Sequence, residues 1–197
     1  MAIVAILRWI SLISIVYWLI VYWQGGKKVM IDIKESLRIR NSRPDSVLLI
    51  IISFCSFVTI VLAFLTNFGL LKAFFPQRPT VIFAGTLLTI LGIAGMFYCR
   101  HYLGKFWTAE TNLHKNHQIV DTGPYRFVRH PIYTFAILMY LGLGLTFLSP
   151  ENLLFVAAII AAYILKTNDE DAFLAKNLLG YREYKSRIRY RLIPGLW

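Results

Sequence analysis

The chain has 197 residues, of which 57% are hydrophobic and 16% charged, with a formal net charge of +11. Soluble domains carry about 25% charged residues, so this composition excludes an ordinary soluble globule and points to an integral membrane protein. The hydrophilic stretches reach only about thirty residues, too few to bury a separate core that would offset its own folding entropy.

A helix needs roughly 20 apolar residues to cross the ~30 Å hydrocarbon layer. The runs Ile3–Trp23, Val47–Leu71 and Val81–Tyr98 meet that length, and Ile132–Leu148 and Leu153–Leu165 are shorter. The first has no A-x-A-like cleavage site and reads as a retained span; Gly25, Gly26, Lys27 and Lys28 end it, and SRPD at 42–45 opens the second. Only Ser149, Pro150, Glu151 and Asn152 separate the last two runs. This predicts a hairpin whose second arm barely spans or re-enters the bilayer. The expected fold is therefore an all-α membrane protein with five transmembrane segments, the last two a short hairpin, followed by a cytosolic helix over 167–185. One membrane domain fills 1–197, with two peripheral spans in 1–79 and a core in 80–197 built around the loop 99–130.

Apart from Arg8, the Lys and Arg residues number six in 24–46, two in 72–79, five in 99–130, none in 149–152 and seven from 166 onward. Basic loops stay on the cytoplasmic side, which predicts an outside N-terminus and a cytosolic C-terminus in a bacterial or archaeal cytoplasmic membrane. The same charges meet anionic lipid at about 1 kcal/mol each, and nothing in their placement calls for nucleic acid. Cys55 and Cys99 have no spacing that supports a disulfide or a metal site, and His101, His114 and His117 are too irregularly spaced for one. Neither G-x-G-x-x-G nor a Walker loop occurs.

The stretch GPYRFVRHPIY, 123–133, places two prolines, two arginines and a histidine directly before an apolar run. Gly123-Pro124 is turn chemistry, and Pro131 suits the first position of a helix, where its missing N–H costs nothing. A rigid cytoplasmic entrance results, in which Arg129, His130 and Tyr133 gather, and the backbone N–H groups of the helix start are an expected anion site. Farther on, Lys166 and Glu170 are spaced to share a helix face. Asn168, Asp169, Glu170 and Asp171 read as an N-cap with acids in the first turn. Leu174, Leu178 and Tyr181 form a stripe that predicts packing back over the site, and SRIRYRLIP alternates basic and apolar residues as a segment lying along lipid would.

These elements, in order, are Leu103-Gly104 with Phe106-Trp107-Thr108, His117-Gln118-Ile119-Val120, Gly123 and Tyr125, Arg129-His130-Pro131-Ile132-Tyr133, then Glu170-Asp171, Leu174, Gly180, Tyr181, Tyr184 and Pro194. Over about 95–197 the chain resembles the isoprenylcysteine carboxyl methyltransferases and their bacterial and archaeal relatives, a group that shares features with phospholipid N-methyltransferases. A similar R-H-P-x-Y unit occurs in membrane sterol reductases that use NADPH, which keeps an NADPH-dependent reductase as the alternative.

The resemblance implies a pocket for S-adenosyl-L-methionine, with His117, Gln118, Ile119, Val120, Gly123, Tyr125, His130, Pro131, Tyr133 and Glu170 on the cofactor side and Glu170, Lys166 and Arg129 in the catalytic set. It implies a lipophilic or prenylated acceptor entering from membrane lipid. A carboxylate acceptor is favoured over a phospholipid amine, because no His–carboxylate dyad with clear spacing stands out to serve as a base. The chain departs from its relatives at Lys166, where they carry arginine, at Asp171, where they carry a second glutamate, and at Phe135, where they carry a small residue. The methyl acceptor and the oligomeric state are not encoded legibly.

Overall fold

The computed structural model describes residues 2–40, 43–73, 76, 78–107, 111–114 and 117–197. Helix α1 covers Ala2–Ser36, α2 Arg43–Asn67, α3 Pro79–Leu103, α4 Pro131–Phe147, α5 Pro150–Asn177 and α6 Tyr181–Arg187. Four of these contain stretches long and apolar enough to cross a membrane, namely Ala2–Val21, Ser46–Asn67, Pro79–Phe106 and Pro150–Asn177. The apolar α4, at 17 residues, is about 26 Å long and sits at the short end of the spanning range. The chain is an integral membrane protein with the expected all-α architecture and a short C-terminal helix.

Three boundaries differ from expectation. The backbone of α1 runs on to Ser36 instead of stopping at the paired glycines. The second arm of the hairpin is the long one: Ser149 caps α5, its hydroxyl accepting from the Asn152 N–H at 3.3 Å, and the helix continues unbroken through the polar residues to Asn177. Residues 168–171 are thus mid-helix rather than an N-cap, because the i→i−4 ladder passes straight through them. The break comes at Gly180, whose φ of +81° suits glycine, so the helix foreseen over 167–185 is the end of α5 plus α6.

Helices α3 and α4 make the closest pair through small residues. A Cβ on Gly92 would lie 2.6 Å from the Met139 nitrogen, and one on Gly142 would lie 2.5 Å from the Thr89 nitrogen. In lipid, where no hydrophobic force separates helix from tail, such close backbone approach is what holds helices together. Gly95 faces the Phe135 ring. The bulky residue at 135 is accommodated because its partner helix supplies the missing volume.

The core of buried apolar side chains joins Leu12 and Ile15 of α1, Cys55 and Ala63 of α2, Ile93 and Met96 of α3, Ala136, Met139, Tyr140, Leu143 and Phe147 of α4, and Val156 and Ile159 of α5. Outside the helices, β1 (Leu37–Arg40) pairs antiparallel with β2 (Asn112–His114), Ile39 opposite Leu113. This pairing ties the α1–α2 connection to the loop after α3 and puts both on one side of the bundle.

Candidate active site

The site is assembled where the chain enters α4. Gly123–Arg126 forms a short 3-10 turn, which buries Tyr125 against α3 with its hydroxyl donating to the Cys99 carbonyl at 3.4 Å. The Tyr184 hydroxyl donates to the Tyr125 carbonyl at 2.8 Å, so α6 clamps the turn. Burial raises the phenol pKa values of Tyr125, Tyr181 and Tyr184 above the ordinary range, with the nearby Asp171 charge adding to the rise at Tyr181. All three remain neutral hydrogen-bonding groups.

Beyond the turn, the Arg129 N–H donates to the Tyr190 carbonyl at 3.0 Å and the His130 N–H to the Arg191 carbonyl at 2.9 Å. The Thr134 hydroxyl donates to the Leu192 carbonyl at 2.7 Å, and Leu192 is buried. The C-terminal segment is therefore a clasp on the start of α4 rather than a strip along lipid.

Asp171 organises the polar core. Arg129 grips it with Nε at 3.1 Å from Oδ1 and Nη2 at 2.5 Å from Oδ2. His130 Nε2 lies 3.0 Å from Oδ1, the Tyr181 hydroxyl donates at 2.7 Å, and Arg191 Nε donates at 3.0 Å. The carboxylate is 1% exposed, and such a buried anion persists only when paired and fully hydrogen-bonded. Arg129 also donates through Nη1 to the carbonyls of Ile188 at 2.6 Å and Arg189 at 2.8 Å. Burial alone would lower the guanidinium pKa, but the hydrogen bonds and charge of Asp171 outweigh it and raise the value. Arg129 thus holds the site together with its donors engaged by protein acceptors, and it also lines the cavity.

Glu170, one residue and about 100° around the helix from Asp171, faces the other way. Its Oε2 accepts from the Tyr133 hydroxyl at 2.7 Å and lies 3.8 Å from His130 Nδ1. An ionised Asp171 accepts only, so His130 carries its proton on Nε2 and turns Nδ1 towards Glu170. The His130 ring stacks on Tyr133 with centroids 5.7 Å apart, and Tyr133 leans on Tyr163 at 5.2 Å. A histidine between two carboxylates is the dyad that spacing alone did not reveal.

These groups line one cavity of about 380 Å³. Its polar end is walled by Phe106, Trp107, the His117–Val120 stretch, Tyr125, His130, Tyr133 and Glu170, with Leu174, Leu178 and Tyr181 above. Phe106 and His117 pack ring on ring at 4.8 Å. Its other end runs between α1, α2 and α4, past Trp18, Leu49, Ile52, Phe57 and Ile60. Lys166 lies between the two, 1% exposed, with Nζ donating to the Thr111 hydroxyl at 3.4 Å. Of the residues expected in the site, Gly123 and Pro131 are not in the wall. Gly123, at φ +56°, sits against the Tyr102 ring, and Pro131 opens α4. Thr108 lies outside the described residues.

Asp171, Tyr181 and Arg191 were the groups sequence reasoning left out of the site. Asp171 had a signal in its adjacency to Glu170, but nothing in the spacing joins residues 129, 171 and 191. Among the described residues no three His, Cys, Asp or Glu side chains gather as a metal site would require.

A profile of the phospholipid methyltransferase family matches residues 80–179, the segment holding α3, α4, α5 and the cavity's polar wall. The chain belongs to that family. This family is part of the isoprenylcysteine carboxyl methyltransferase-like group of membrane methyltransferases, in agreement with the resemblance drawn from the motifs. The chain is also similar to the cobalt-zinc-cadmium resistance protein CzcN of Cupriavidus metallidurans, with 31% identity over 113 residues, covering 55% of this chain and 47% of that protein. The chain thus spans about half the length of the curated relative it matches.

Proposed function

We propose that the protein transfers a methyl group from S-adenosylmethionine to a lipophilic carboxylate at the cytosolic face of the membrane. The observation that carries this reading is the single cavity, polar and aromatic at one end and apolar at the other, with the buried Lys166 cation at the junction. Family membership supports methyl transfer over the NADPH-dependent reductase. The pairing of β1 with β2 supports a common side for the loops 24–46 and 99–130.

The residues present fit the cofactor. Phe106, His117 and the Gln118–Val120 backbone offer an aromatic and apolar slot for adenine. The Glu170 carboxylate suits the ammonium of an amino-acid end, the Tyr133 hydroxyl, which donates to Glu170 at 2.7 Å, can turn to its carboxylate, and the faces of Tyr133 and Tyr163 are surfaces a sulfonium favours. When bound, the cofactor supplies an electrophilic methyl group. The protein's part is to place the acceptor in line and exclude water. Lys166 pairs with an acceptor carboxylate, which at neutral pH has no proton to lose. Asp171, through Arg129 and His130, fixes the wall against which the acceptor is held.

A second reading has its own observation. Glu170 accepts from Tyr133, lies 3.8 Å from His130 Nδ1 and lines the cavity, and a carboxylate in that place is the kind of base an amine acceptor such as a phospholipid headgroup would need. Transfer of labelled methyl to matched lipophilic carboxylates, thiols and amines separates the two. Labelling of the carboxylates supports the proposal, and labelling confined to amines replaces it with the second reading.

A further inference from the structure

The apolar end of the cavity has a defined depth. On α2 the wall begins at Leu49, passes Ser56 and ends at Ile60, a rise of about 10 Å to Ser56 and about 16 Å to Ile60 at ~1.5 Å per residue, or a third to a half of the ~30 Å hydrocarbon layer. On α4 it passes Ile132, Tyr133 and Ala136 and ends at Tyr140. Farther along, Ala63 on α2 and Leu143 and Phe147 on α4 are buried and outside the cavity wall. Tyr140 itself is 1% exposed. Its hydroxyl donates to Ser56 Oγ at 2.6 Å, and Ser56 donates in turn to the Ile52 carbonyl at 2.5 Å. The phenol is thereby fastened across from α4 to α2.

We propose that the Tyr140–Ser56 crossbar, with Ile60 one turn beneath it, is the floor of a tail-binding tunnel and limits the length of the apolar tail of a substrate whose polar head lies at Lys166. A hydroxyl-to-hydroxyl bond inside an apolar tunnel is suited to this task. An unpaired phenol there would be costly, so the ring stays in the barring position. The inference deepens the methyl-transfer reading, but the depth of the tunnel does not depend on which chemistry occurs at its head.

The test uses S-alkyl mercaptoacetates from octyl through dodecyl and hexadecyl to eicosyl, each bearing a terminal bromine, titrated into the purified full chain in detergent. Bromine carried into the tunnel quenches Trp18, which lines the cavity, and a Trp18→Phe chain identifies that share of the signal. Each methylene that fits exchanges detergent contacts for tunnel contacts, a gain smaller than the roughly fourfold of transfer from water, and each one that does not fit stays in detergent and gains nothing. Affinity should therefore climb along the series and then stop. Tyr140→Ala should move the stopping point to a longer tail, and Ile60→Phe, which adds bulk to the floor from α2, should move it to a shorter one. Retained S-adenosylhomocysteine binding shows that each variant is folded. A stopping point unchanged in both variants, or an affinity that climbs without limit in the wild type, would overturn the proposal. A length limit that shifts as expected in a protein that methylates none of these acids would uphold the tunnel floor and refute the carboxylate reading.

Discussion

Replacing Asp171 by alanine should loosen the whole end of the molecule that carries the site. The carboxylate receives two bonds from Arg129 and one each from Tyr181 and Arg191, and its Oδ1 lies 3.0 Å from His130 Nε2. The Arg129 side chain is 3% exposed, so the substitution leaves a buried guanidinium with only the two carbonyls of Ile188 and Arg189. Removing one member of such a buried pair costs about 3–5 kcal/mol, which for a chain of this size corresponds to about 6–20 °C in the melting midpoint. Arg191→Ala, at the more exposed rim of the same cluster, should cost no more than about 1 kcal/mol. Thermal unfolding in detergent reads the global effect. Trypsin cleavage at Arg187 and Arg189 reads the local one, because the clasp hangs on bonds to Arg129 and His130. An Asp171→Ala protein that melts with the wild type and keeps its C-terminus intact would refute the account of Asp171 as the organising anion.

Lys166→Met should abolish turnover on carboxylate acceptors with little change in S-adenosylhomocysteine affinity, whereas Lys166→Arg should retain turnover because its fork grips a carboxylate; normal turnover by the methionine variant would remove the lysine from the acceptor site. Because burial raises the folded-state pKa of Tyr181, the unfolded chain loses its phenol proton first, and stability should decline as pH rises past about 10. Tyr181→Phe should flatten that decline, and denaturation midpoints between neutral and alkaline pH measure it. Tags in loop 24–46, in loop 99–130 and at the C-terminus should all report cytoplasmic, and an external loop 99–130 would remove the site from its cofactor supply.

The spans were legible because lipid admits few solutions: an apolar run either crosses or is buried, and length decides. Boundaries were less legible where polar residues continue a helix. Residues 168–171 read as a cap in isolation, yet they extend α5 because Glu170 and Asp171 find partners on α4 and the clasp. That His117 to Val120, His130, Tyr133 and Glu170 belong together was legible through motif order, and the cavity unites these residues. The dyad at His130 was not, since 41 residues separate it from Asp171 and no periodicity links them. Nor was the Gly95–Phe135 contact, which depends on two helices meeting at a single level.

Isothermal titration of the purified protein with S-adenosylhomocysteine and, separately, with NADPH tests the central claim most directly. Saturable heat with S-adenosylhomocysteine alone is expected, weakened by about 1–3 kcal/mol in Tyr133→Phe through the Glu170 carboxylate left without its donor. Heat with NADPH alone would contradict the methyltransferase reading and return the site to the reductases.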